Sequence, residues 1–399
     1  MIGGRLAPVA IVFVLHNVQM HMMRPYVPLF AATLDAGYLL VGVVAAAVGF
    51  LPIFLALPAG SLSDRWGAGR IVAVAGAINA IGFALLAIYP NLAVILVSQM
   101  LAGLANLLVS LSTQAYVGGL GRGRAAERNF SAYSMFASIG QVAGPLIGGL
   151  IISLAGFQFA FVVATSLSLL SIAAATVLLP WGAKPQWSRP IGAFPRRAWK
   201  YLKMRDTQLT ILASCLMAVP EILRSAFLPL YLGAVVHLDV GLVGYVLAIF
   251  ALAGLAAKTI LPSAVERFGR QTMLFSFTAG CALALLAIPF TASIWVACVI
   301  TACMGLTFGL GRPLSMAMAA NAAAPNEEAF VVALRLSGNR VADVILPVAF
   351  GSAAAAFGIG AAFVAGAAVL VAGAVVLVQP MVAEIRERRD GRNSADAGP

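Results

Sequence analysis

GSLSDRWGAGR (residues 60–70) and PSAVERFGRQ (residues 262–271) are two short polar stretches, and each follows a long apolar run. The two stretches match at three positions that are 202 residues apart: Asp64 and Glu266, Arg65 and Arg267, and Gly67 and Gly269. Pro145 and Pro347 have the same offset. RPYVPLF (24–30) is echoed by RSAFLPLY (224–231) with a one-residue slip. The sequence therefore predicts two similar halves, arranged as a parallel repeat.

The composition places both halves in a membrane. Of the 399 residues, 62% are hydrophobic and only 10% are charged, and the mean hydropathy is +0.99. Soluble domains carry about 25% charged residues. The apolar residues form runs of about 20 or more, the length that crosses a hydrocarbon layer of about 30 Å. We therefore predict an all-α integral membrane protein, in which the four cysteines are buried apolar side chains.

The apolar runs and the charges between them predict the spans and their orientation. We place twelve spans, numbered in chain order, at 7–33, 38–62, 71–89, 92–117, 130–155, 157–181, 207–234, 240–262, 272–291, 293–320, 329–356 and 359–383. Of the 25 lysines and arginines, 19 lie in the N-terminus, the even-numbered loops or the C-terminal tail, and none lies in an odd-numbered loop. Because basic residues stay on the cytoplasmic side, both termini are predicted to be cytoplasmic.

The net charge of +11 is accordingly a topology signal. No nucleic-acid partner is expected, because the basic residues are not interleaved with aromatic ones on a soluble face. Residues 1–181 are predicted to form an N-terminal six-helix bundle and residues 207–383 a C-terminal one, followed by a cytoplasmic tail at 384–399. The linker at 182–206 carries seven basic residues and three prolines. It is interpreted either as a basic amphipathic helix on anionic lipid headgroups or as a solvated tether.

Two stretches resemble the motifs of a known transporter family. GSLSDRWGAGR is similar to the GxLaDrxGrk pattern between helices 2 and 3 of the major facilitator superfamily. GQVAGPLIGG (140–149) in span 5 is similar to the family's GxxxGPxxGG antiporter pattern. The resemblance covers essentially the whole chain and is nearest to the twelve-helix drug:proton antiporters and metabolite exporters. It implies two pseudo-symmetric six-helix bundles, transport by alternating access, and a substrate site between the halves.

The resemblance also implies conformational roles for both motifs. In the family, contacts of the acid after helix 2 hold the halves in the outward-facing state, and the helix 5 glycines allow close helix packing. The conformational residues expected here are Gly60, Asp64, Arg65, Gly67, Arg70, Gly140, Gly144, Pro145, Gly148, Gly149, Glu266 and Arg267. The alternatives are a solvated loop charge for Asp64 and generic tight packing for the span 5 glycines.

The sequence departs from the family pattern at two places. Antiporters usually carry an arginine in helix 4 within a pattern like LxxxRxxqG, and, aligned on Gly103, that position is Gln99. Many drug exporters also carry an acid in helix 1. The polar residues of that stretch are here His16, Asn17, Gln19, His21 and Arg24. These differences weaken the expectation of the family's usual proton relay.

Ionisable residues inside the spans are candidates for function, because each costs at least about 2.5 kcal/mol to insert. Lys258 is close to a span end and either has a function or reaches the headgroups. The others are Arg24, Arg224, Arg312, Arg335, Arg340, Glu221 and Asp343. These five arginines exceed the two acids by three charges. Because a guanidinium holds a carboxylate or phosphate at two points, the excess favours an anionic or zwitterionic substrate, or an amphiphile with an acidic head.

Polar stripes at helical spacing supply the expected site. Helices 1, 4, 7 and 10 line the central cavity in the family, which implies the same for these spans. The predicted substrate-binding residues are Asn17, His21, Arg24, Asn106, Arg224, Phe308, Arg312, Arg335 and Asn339. The predicted proton-coupling residues are Glu221 and Asp343. Three alternatives are open: a structural role for His21, a static Arg340–Asp343 ion pair, and a static Glu221–Arg224 ion pair.

The predicted function is secondary active transport of a small organic compound across a bacterial inner membrane, as proton-coupled export by a monomer. The alternative is uptake of an organic anion by proton symport or uniport. The span 5 glycines favour export, whereas Gln99 and the basic cavity favour uptake. A membrane enzyme is not expected, because the three histidines are scattered and no acid cluster suits metal or acid–base chemistry. The expected partners are the substrate, protons and lipids, with no catalytic residues, metal ion or cofactor.

Overall fold

The fold is that of a computed structural model, which describes residues 6–120, 124–179, 181, 199–321 and 328–396. All regular structure in these ranges is helical. The helices of the first six spans are Ala7–Met23 and Tyr26–Thr33 (span 1), Tyr38–Trp66 (span 2), Ala68–Ile88 (span 3), Leu92–Gly119 (span 4) and Arg124–Leu178 (spans 5 and 6). Those of the last six are Arg205–Ile222, the π-helical turn Leu223–Phe227 and Leu228–Ala234 (span 7), Val240–Phe268 (span 8), Arg270–Ala287 and the 3₁₀ turn Ile288–Phe290 (span 9), Ile294–Asn321 (span 10), Glu328–Phe357 (span 11) and Gly360–Asp396 (span 12).

Nine helical stretches within the described ranges are long and apolar enough to cross a membrane. One of them, Arg128–Leu178, has 51 residues and would be about 77 Å long as a single helix, more than twice the hydrocarbon thickness. It breaks at Gly156, whose φ of 81° suits glycine, and this is where the boundary between spans 5 and 6 was predicted. The all-α membrane class is confirmed, whereas the number of twelve spans stays a prediction.

Large apolar side chains point outward from these helices. Leu154, Val177 and Trp295 are 78%, 80% and 79% exposed. In a soluble protein such side chains would form a patch that needs a partner. On helices of this length and apolarity, lipid is that partner. The surface therefore agrees with the composition.

Packing divides the chain into two compact units. The first unit contains Met1–Ile191, Arg224–Ala248 and Asp343–Ala356. The second contains Gly192–Leu223, Ile249–Ala342 and Phe357–Pro399. The chain passes from one unit to the other inside spans 7, 8 and 11, and the predicted division into residues 1–181 and 207–383 stays a prediction.

Prolines account for the irregular parts of spans 1 and 7. Span 1 is interrupted at Arg24 and Pro25, between two helices. In span 7, Pro220 precedes the π-helical turn and Pro229 follows it. A proline has no N–H to donate to the preceding turn, so a helix bends or changes its pitch nearby.

The last helix continues to Asp396, beyond the predicted end of span 12 at residue 383. Its Glu384 carboxylate accepts hydrogen bonds from the backbone N–H groups of Arg270 (2.9 Å), Gln271 (2.9 Å) and Thr272 (3.3 Å). These are first-turn donors of span 9 that have no partner within their own helix. Gly269, just before them, has φ 93°, and a Cβ there would overlap Glu384. The second polar stretch is thus fixed in place by the end of span 12.

The 202-residue repeat is visible in the contacts between helices. A Cβ on Gly103 of span 4 would overlap the carbonyl oxygen of Val48 in span 2. The same overlap occurs between Gly305 of span 10 and Phe250 of span 8, with both residues shifted by 202. These helix pairs approach so closely because glycine leaves room for the facing backbone. The contact between spans 2 and 4 in the first half is therefore repeated between spans 8 and 10 in the second half, at equivalent positions.

The linker is described only at its end. A helical turn at 199–202 presents Trp199, which is 64% exposed, and the Lys203 ammonium lies 5.3 Å from its ring centroid. Residues 182–198 lie outside the described ranges. An exposed tryptophan beside lysines is typical of a segment at a membrane surface, and both readings of the linker stay open.

Candidate functional site

Span 1 lies directly against the glycine strip of span 5. A Cβ on Gly140 would come within 2.5 Å of the Asn17 Cβ, and one on Gly144 within 2.7 Å of the His21 Cβ. The Asn17 amide donates to the carbonyl oxygen of Phe13 at 2.9 Å, and His21 is 8% exposed. Two of the predicted substrate-binding residues are thus placed along the contact between spans 1 and 5. Arg24 follows at the end of the first helix and is half-buried.

A histidine that was not among the predicted site residues connects spans 1 and 4. His16 is 4% exposed, and its Nε2 lies 3.4 Å from the Asn106 Oδ1. If Nε2 carries the proton, it donates to the amide oxygen and leaves the amide N–H groups of Asn106 for another acceptor. Asn106 is half-buried. The pair can therefore present a hydrogen-bond donor from span 4 whose orientation is set by span 1.

A second buried amide pair joins spans 1 and 3. The Asn79 Nδ2 donates to the Gln19 Oε1 at 2.6 Å, and both side chains are at most 2% exposed. Among the residues that the structure describes, the Gln19 Nε2 and the Asn79 Oδ1 have no hydrogen-bond partner. Such groups are costly unless water or a ligand satisfies them. Gln99, which stands where antiporters of the family carry an arginine, is 4% exposed.

Each half of the chain has a polar contact between two of its spans, and the two contacts are related by the repeat. The Thr113 and Tyr133 hydroxyls are 2.9 Å apart and connect span 4 to span 5. The Arg335 Nη2 donates to the Ser315 Oγ at 3.1 Å and connects span 11 to span 10. Each residue of the second pair is 202 positions after its counterpart in the first. Arg335, a predicted substrate-binding residue, is 5% exposed.

The ring of Tyr133 is held by a further contact, since it stacks on Phe13 with centroids 4.0 Å apart. Tyr133 is not among the site residues that the sequence predicts. The constant offset from Arg335 was the signal that could have identified it. The structure therefore supplies an aromatic and polar link among spans 1, 4 and 5.

Span 7 brings the predicted coupling acid close to its π-helical turn. Glu221 lies in the last turn of Arg205–Ile222 and is half-buried. Arg224 lies within Leu223–Phe227 and is 4% exposed. A π-helical turn is uncommon and frequently occurs at functional positions in a helix. Its presence was not predicted from the sequence.

The remaining candidates lie in spans 10 and 11. The Phe308 ring packs against Phe250 with centroids 5.2 Å apart. Asn339 is half-buried, as is Asp343, whose Cβ would lie 3.2 Å from a Cβ built on Gly49 of span 2. Arg312 belongs to Ile294–Asn321, but its side chain lies outside the described part of the structure.

The first conformational motif is described at its C-terminal end. Gly67 begins span 3 with φ 81°, the counterpart of Gly269. The Arg70 guanidinium lies 5.7 Å from the ring centroid of Trp181. The side chains of Asp64 and Arg65, like the surroundings of Gly60, lie outside the described part, so the contacts expected of Asp64 stay a prediction.

In the second motif, Glu266 and Arg267 are both exposed, and the Arg267 guanidinium lies 5.3 Å from the Phe268 ring centroid. Among the described residues, no group of three or more His, Cys, Asp or Glu could hold a metal ion. The side chains above offer hydrogen bonds, charge and apolar surface. These are the means of binding a small molecule reversibly.

Known proteins resemble this chain in sequence and in fold. The family model described as Major Facilitator Superfamily matches residues 9–231 and 209–397. The tetracycline resistance protein, class C, of Escherichia coli is 27% identical over 286 residues, which cover 69% of this chain and 70% of that protein.

Two solved structures show the same fold at low identity. The nucleoside transporter NupG has a TM-score of 0.77 at 13% identity and covers 95% of this chain and 99% of its own. A POT family transporter in complex with 5-aminolevulinic acid has a TM-score of 0.77 at 14% identity and covers 94% and 95%. Helical fold, internal repeat and motifs agree with the family match over nearly the whole chain. The protein is a multi-pass membrane transporter, and not an enzyme, of the Major Facilitator Superfamily.

Proposed function

We propose that this transporter exports a small organic compound with an anionic or amphiphilic character, in exchange for protons, by alternating access. It acts as a monomer in a bacterial inner membrane, with both termini in the cytoplasm. The observation that carries the substrate class is that the five arginines within the spans exceed the two acids there by three charges. Positive charge in a low-dielectric region is stabilised when an anion visits.

The positions of two arginines support this substrate class. Arg224 and Arg335 are 4% and 5% exposed, so neither is a surface arginine that bulk water fully solvates. A guanidinium in such a place favours a planar carboxylate or a phosphate, which it can hold at two points. The half-buried Asn106 amide adds a neutral donor that suits a carbonyl or carboxylate oxygen.

Proton coupling is assigned to Glu221, with Asp343 as the second candidate. Desolvation disfavours an ionised carboxylate, whereas the guanidinium of Arg224, three residues further on, favours it. A change in the surroundings of Glu221 would therefore change its proton affinity, and substrate binding to Arg224 or Arg24 would free the carboxylate to take a proton. The static Glu221–Arg224 pair is the alternative.

Export is supported by the span 5 glycines and by the name of the tetracycline resistance protein, which is 27% identical. The alternative function is uptake of an organic anion by proton symport or uniport. It is favoured by Gln99, since the arginine expected of antiporters in span 4 is missing. The two functions differ in the direction in which a proton gradient drives the substrate.

Purified protein in proteoliposomes tests both proposals. An imposed pH difference should drive accumulation of tetracycline or of the carboxylate fluorescein, with neutral uridine as the comparison. Accumulation into vesicles that are acidic inside indicates exchange for protons, whereas accumulation into vesicles that are alkaline inside indicates symport. Equal transport of uridine would contradict the anionic substrate class.

Glu221→Gln is the matched coupling variant, because a glutamine has nearly the size of a glutamate and can form hydrogen bonds, but cannot take up a proton. It should abolish proton-driven accumulation and retain exchange of labelled for unlabelled substrate. Arg24→Ala and Arg224→Ala should instead weaken substrate binding. Concentrative transport by the Glu221→Gln variant would assign coupling to another group, with Asp343 tested next.

A further inference from the structure

Two close helix crossings in the first compact unit are copies of each other. At the crossing of spans 5 and 8, a Cβ on Gly244 would lie 2.6 Å from the Pro145 carbonyl oxygen, and one on Gly149 would lie 2.8 Å from the Val240 carbonyl oxygen. We call these four residues the 5–8 crossing. The backbone of one helix fits against the missing side chain of the other, so a larger residue would force the helices apart.

The second crossing, between spans 2 and 11, has the same construction. A Cβ on Gly42 would overlap the Pro347 carbonyl oxygen, and one on Gly351 would lie 2.7 Å from the Tyr38 carbonyl oxygen. We call these four residues the 2–11 crossing. Each differs by 202 from its counterpart in the 5–8 crossing. Glycine packing alone would therefore hold both crossings equally.

A buried hydroxyl is added at the 5–8 crossing. Tyr26 is 0% exposed, and its hydroxyl donates to the Pro145 carbonyl oxygen at 2.7 Å. The Tyr26 hydroxyl oxygen itself would lie 2.6 Å from a Cβ on Gly149 and 2.8 Å from one on Gly244. The hydroxyl thus lies where spans 1, 5 and 8 meet, and it fits only while the two glycines stay close. When the repeats are aligned on Pro28 and Pro229, the residue in its place is Phe227, which has no hydroxyl.

A second polar link lies at the end of the same crossing. The Ser153 hydroxyl donates to the Asp239 Oδ2 at 2.9 Å, and the same oxygen accepts from the Gly241 N–H at 2.8 Å. Ser153 is one helical turn beyond Gly149. The repeat-related positions of Ser153 and Asp239 are Ala355 and Gly37. The methyl group of Ala355 cannot donate a hydrogen bond and Gly37 has no side chain, so this link is missing from the 2–11 crossing.

We propose that Tyr26, Ser153 and Asp239 are positioning residues that set the conformational equilibrium of the transporter from one side, by bonding the 5–8 crossing in its packed state. In the packed state the 5–8 crossing then has hydrogen bonds that are absent from the separated state. The 2–11 crossing has no equivalent bonds in either state. Losing the Tyr26 link shifts the equilibrium toward the separated state. Supplying the Ser153–Asp239 link to the 2–11 crossing shifts it back.

Distances between spin labels in lipid nanodiscs test this without any substrate. The labels replace Leu154 and Leu242 at the 5–8 crossing, and the repeat-related Leu40 and Ala356 at the 2–11 crossing, in a full-length chain whose four cysteines are replaced by serine. A hydrogen bond between membrane helices is worth about 0.6 kcal/mol, so Tyr26→Phe should raise the ratio of separated to packed molecules about threefold. Ser153→Ala should raise it in the same direction.

Tyr38→Phe is the matched control, since Tyr38 contributes its backbone carbonyl to the 2–11 crossing and the change removes only a hydroxyl. It should leave the ratio unchanged at equal thermal stability. The double variant Gly37→Asp with Ala355→Ser should lower the ratio below that of the wild type. An unchanged distance distribution in Tyr26→Phe, or an equal shift in Tyr38→Phe, would overturn the proposal, whatever the substrate or the coupling ion proves to be.

Discussion

Gly103→Ala should destabilise the protein, although alanine is the better helix former. The added Cβ would overlap the Val48 carbonyl oxygen and would lie 2.7 Å from the carbonyl carbon and 3.1 Å from the Cα of that residue. All three are backbone atoms, which cannot rotate away. Spans 2 and 4 must therefore move apart along their contact.

The magnitude follows from two opposing terms. Replacing glycine within a helix by alanine gains about 0.5–1 kcal/mol. Overpacking costs about 1–3 kcal/mol, and the upper end applies here because the obstacle is backbone. The net loss is about 2 kcal/mol. With an unfolding entropy of about 2.1 cal/mol/K per residue, the 399-residue chain should melt about 2–3 °C lower.

The matched control lies in the same helix. Gly119 has no atom of a described residue within 4 Å of an added Cβ, so Gly119→Ala should be neutral or slightly stabilising. Gly305→Ala, at the repeat-related position, should lose about as much as Gly103→Ala. Thermal unfolding of the purified variants in one detergent measures all three. If Gly103→Ala melts with or above Gly119→Ala, spans 2 and 4 are not in backbone contact and the packing argument fails.

Three further outcomes are expected. A cysteine introduced at Asn91 should react with an impermeant reagent in intact cells and one at Gly123 should not; the reverse pattern would invert the predicted topology. The Asp64→Asn variant should fold normally and transport slowly in proteoliposomes. Normal transport by this variant would mean that Asp64 is only a solvated loop charge. The pKa of Asp239 is lowered by hydrogen bonds from the Gly241 N–H and the Ser153 hydroxyl. Its contribution to stability is therefore present above the ordinary value of 3.8 and lost as the pH falls through the lower folded pKa. Asp239→Asn should reduce the melting temperature at pH 7, and should reduce it by less as the assay pH is lowered below 3.8.

The sequence was sufficient for the class of fold because the hydrophobic pattern is strong. Apolar runs of membrane length and the motif at residues 60–70 predicted helices that the structure contains. The span boundaries are shifted by a few residues, except at the end of span 12, where the helix continues to Asp396. The boundary near residue 156 was located by the sequence, and Gly156 explains it physically through its positive φ. The π-helical turn Leu223–Phe227 was not predicted, since proline positions indicate a disturbance of a helix but not its form.

Site residues were harder to predict because helical spacing does not give the rotation of a helix against its neighbours. Asn17 and His21 share a stripe, and the structure places both against the span 5 glycines. His16, on the adjacent face, was passed over and bonds to Asn106. Tyr26 was passed over as well, because a tyrosine in an apolar run has no pattern that separates a packing role from a polar contact.

The constant offset of 202 residues has a consequence for the history of the chain. Contacts made by Gly42, Gly103 and Gly149 recur at Gly244, Gly305 and Gly351 without a gain or loss of a single residue in between. One inserted residue in a helix would turn every later side chain by about 100° and move the glycines off their contacts. Such a repeat implies a duplication. After that duplication, neither copy has kept an insertion between these positions unless a deletion, or an equal insertion in the other copy, restored the offset. The two halves can therefore be aligned position by position at an offset of 202 residues. Such an alignment is the starting point for reconstructing an ancestral half-length sequence.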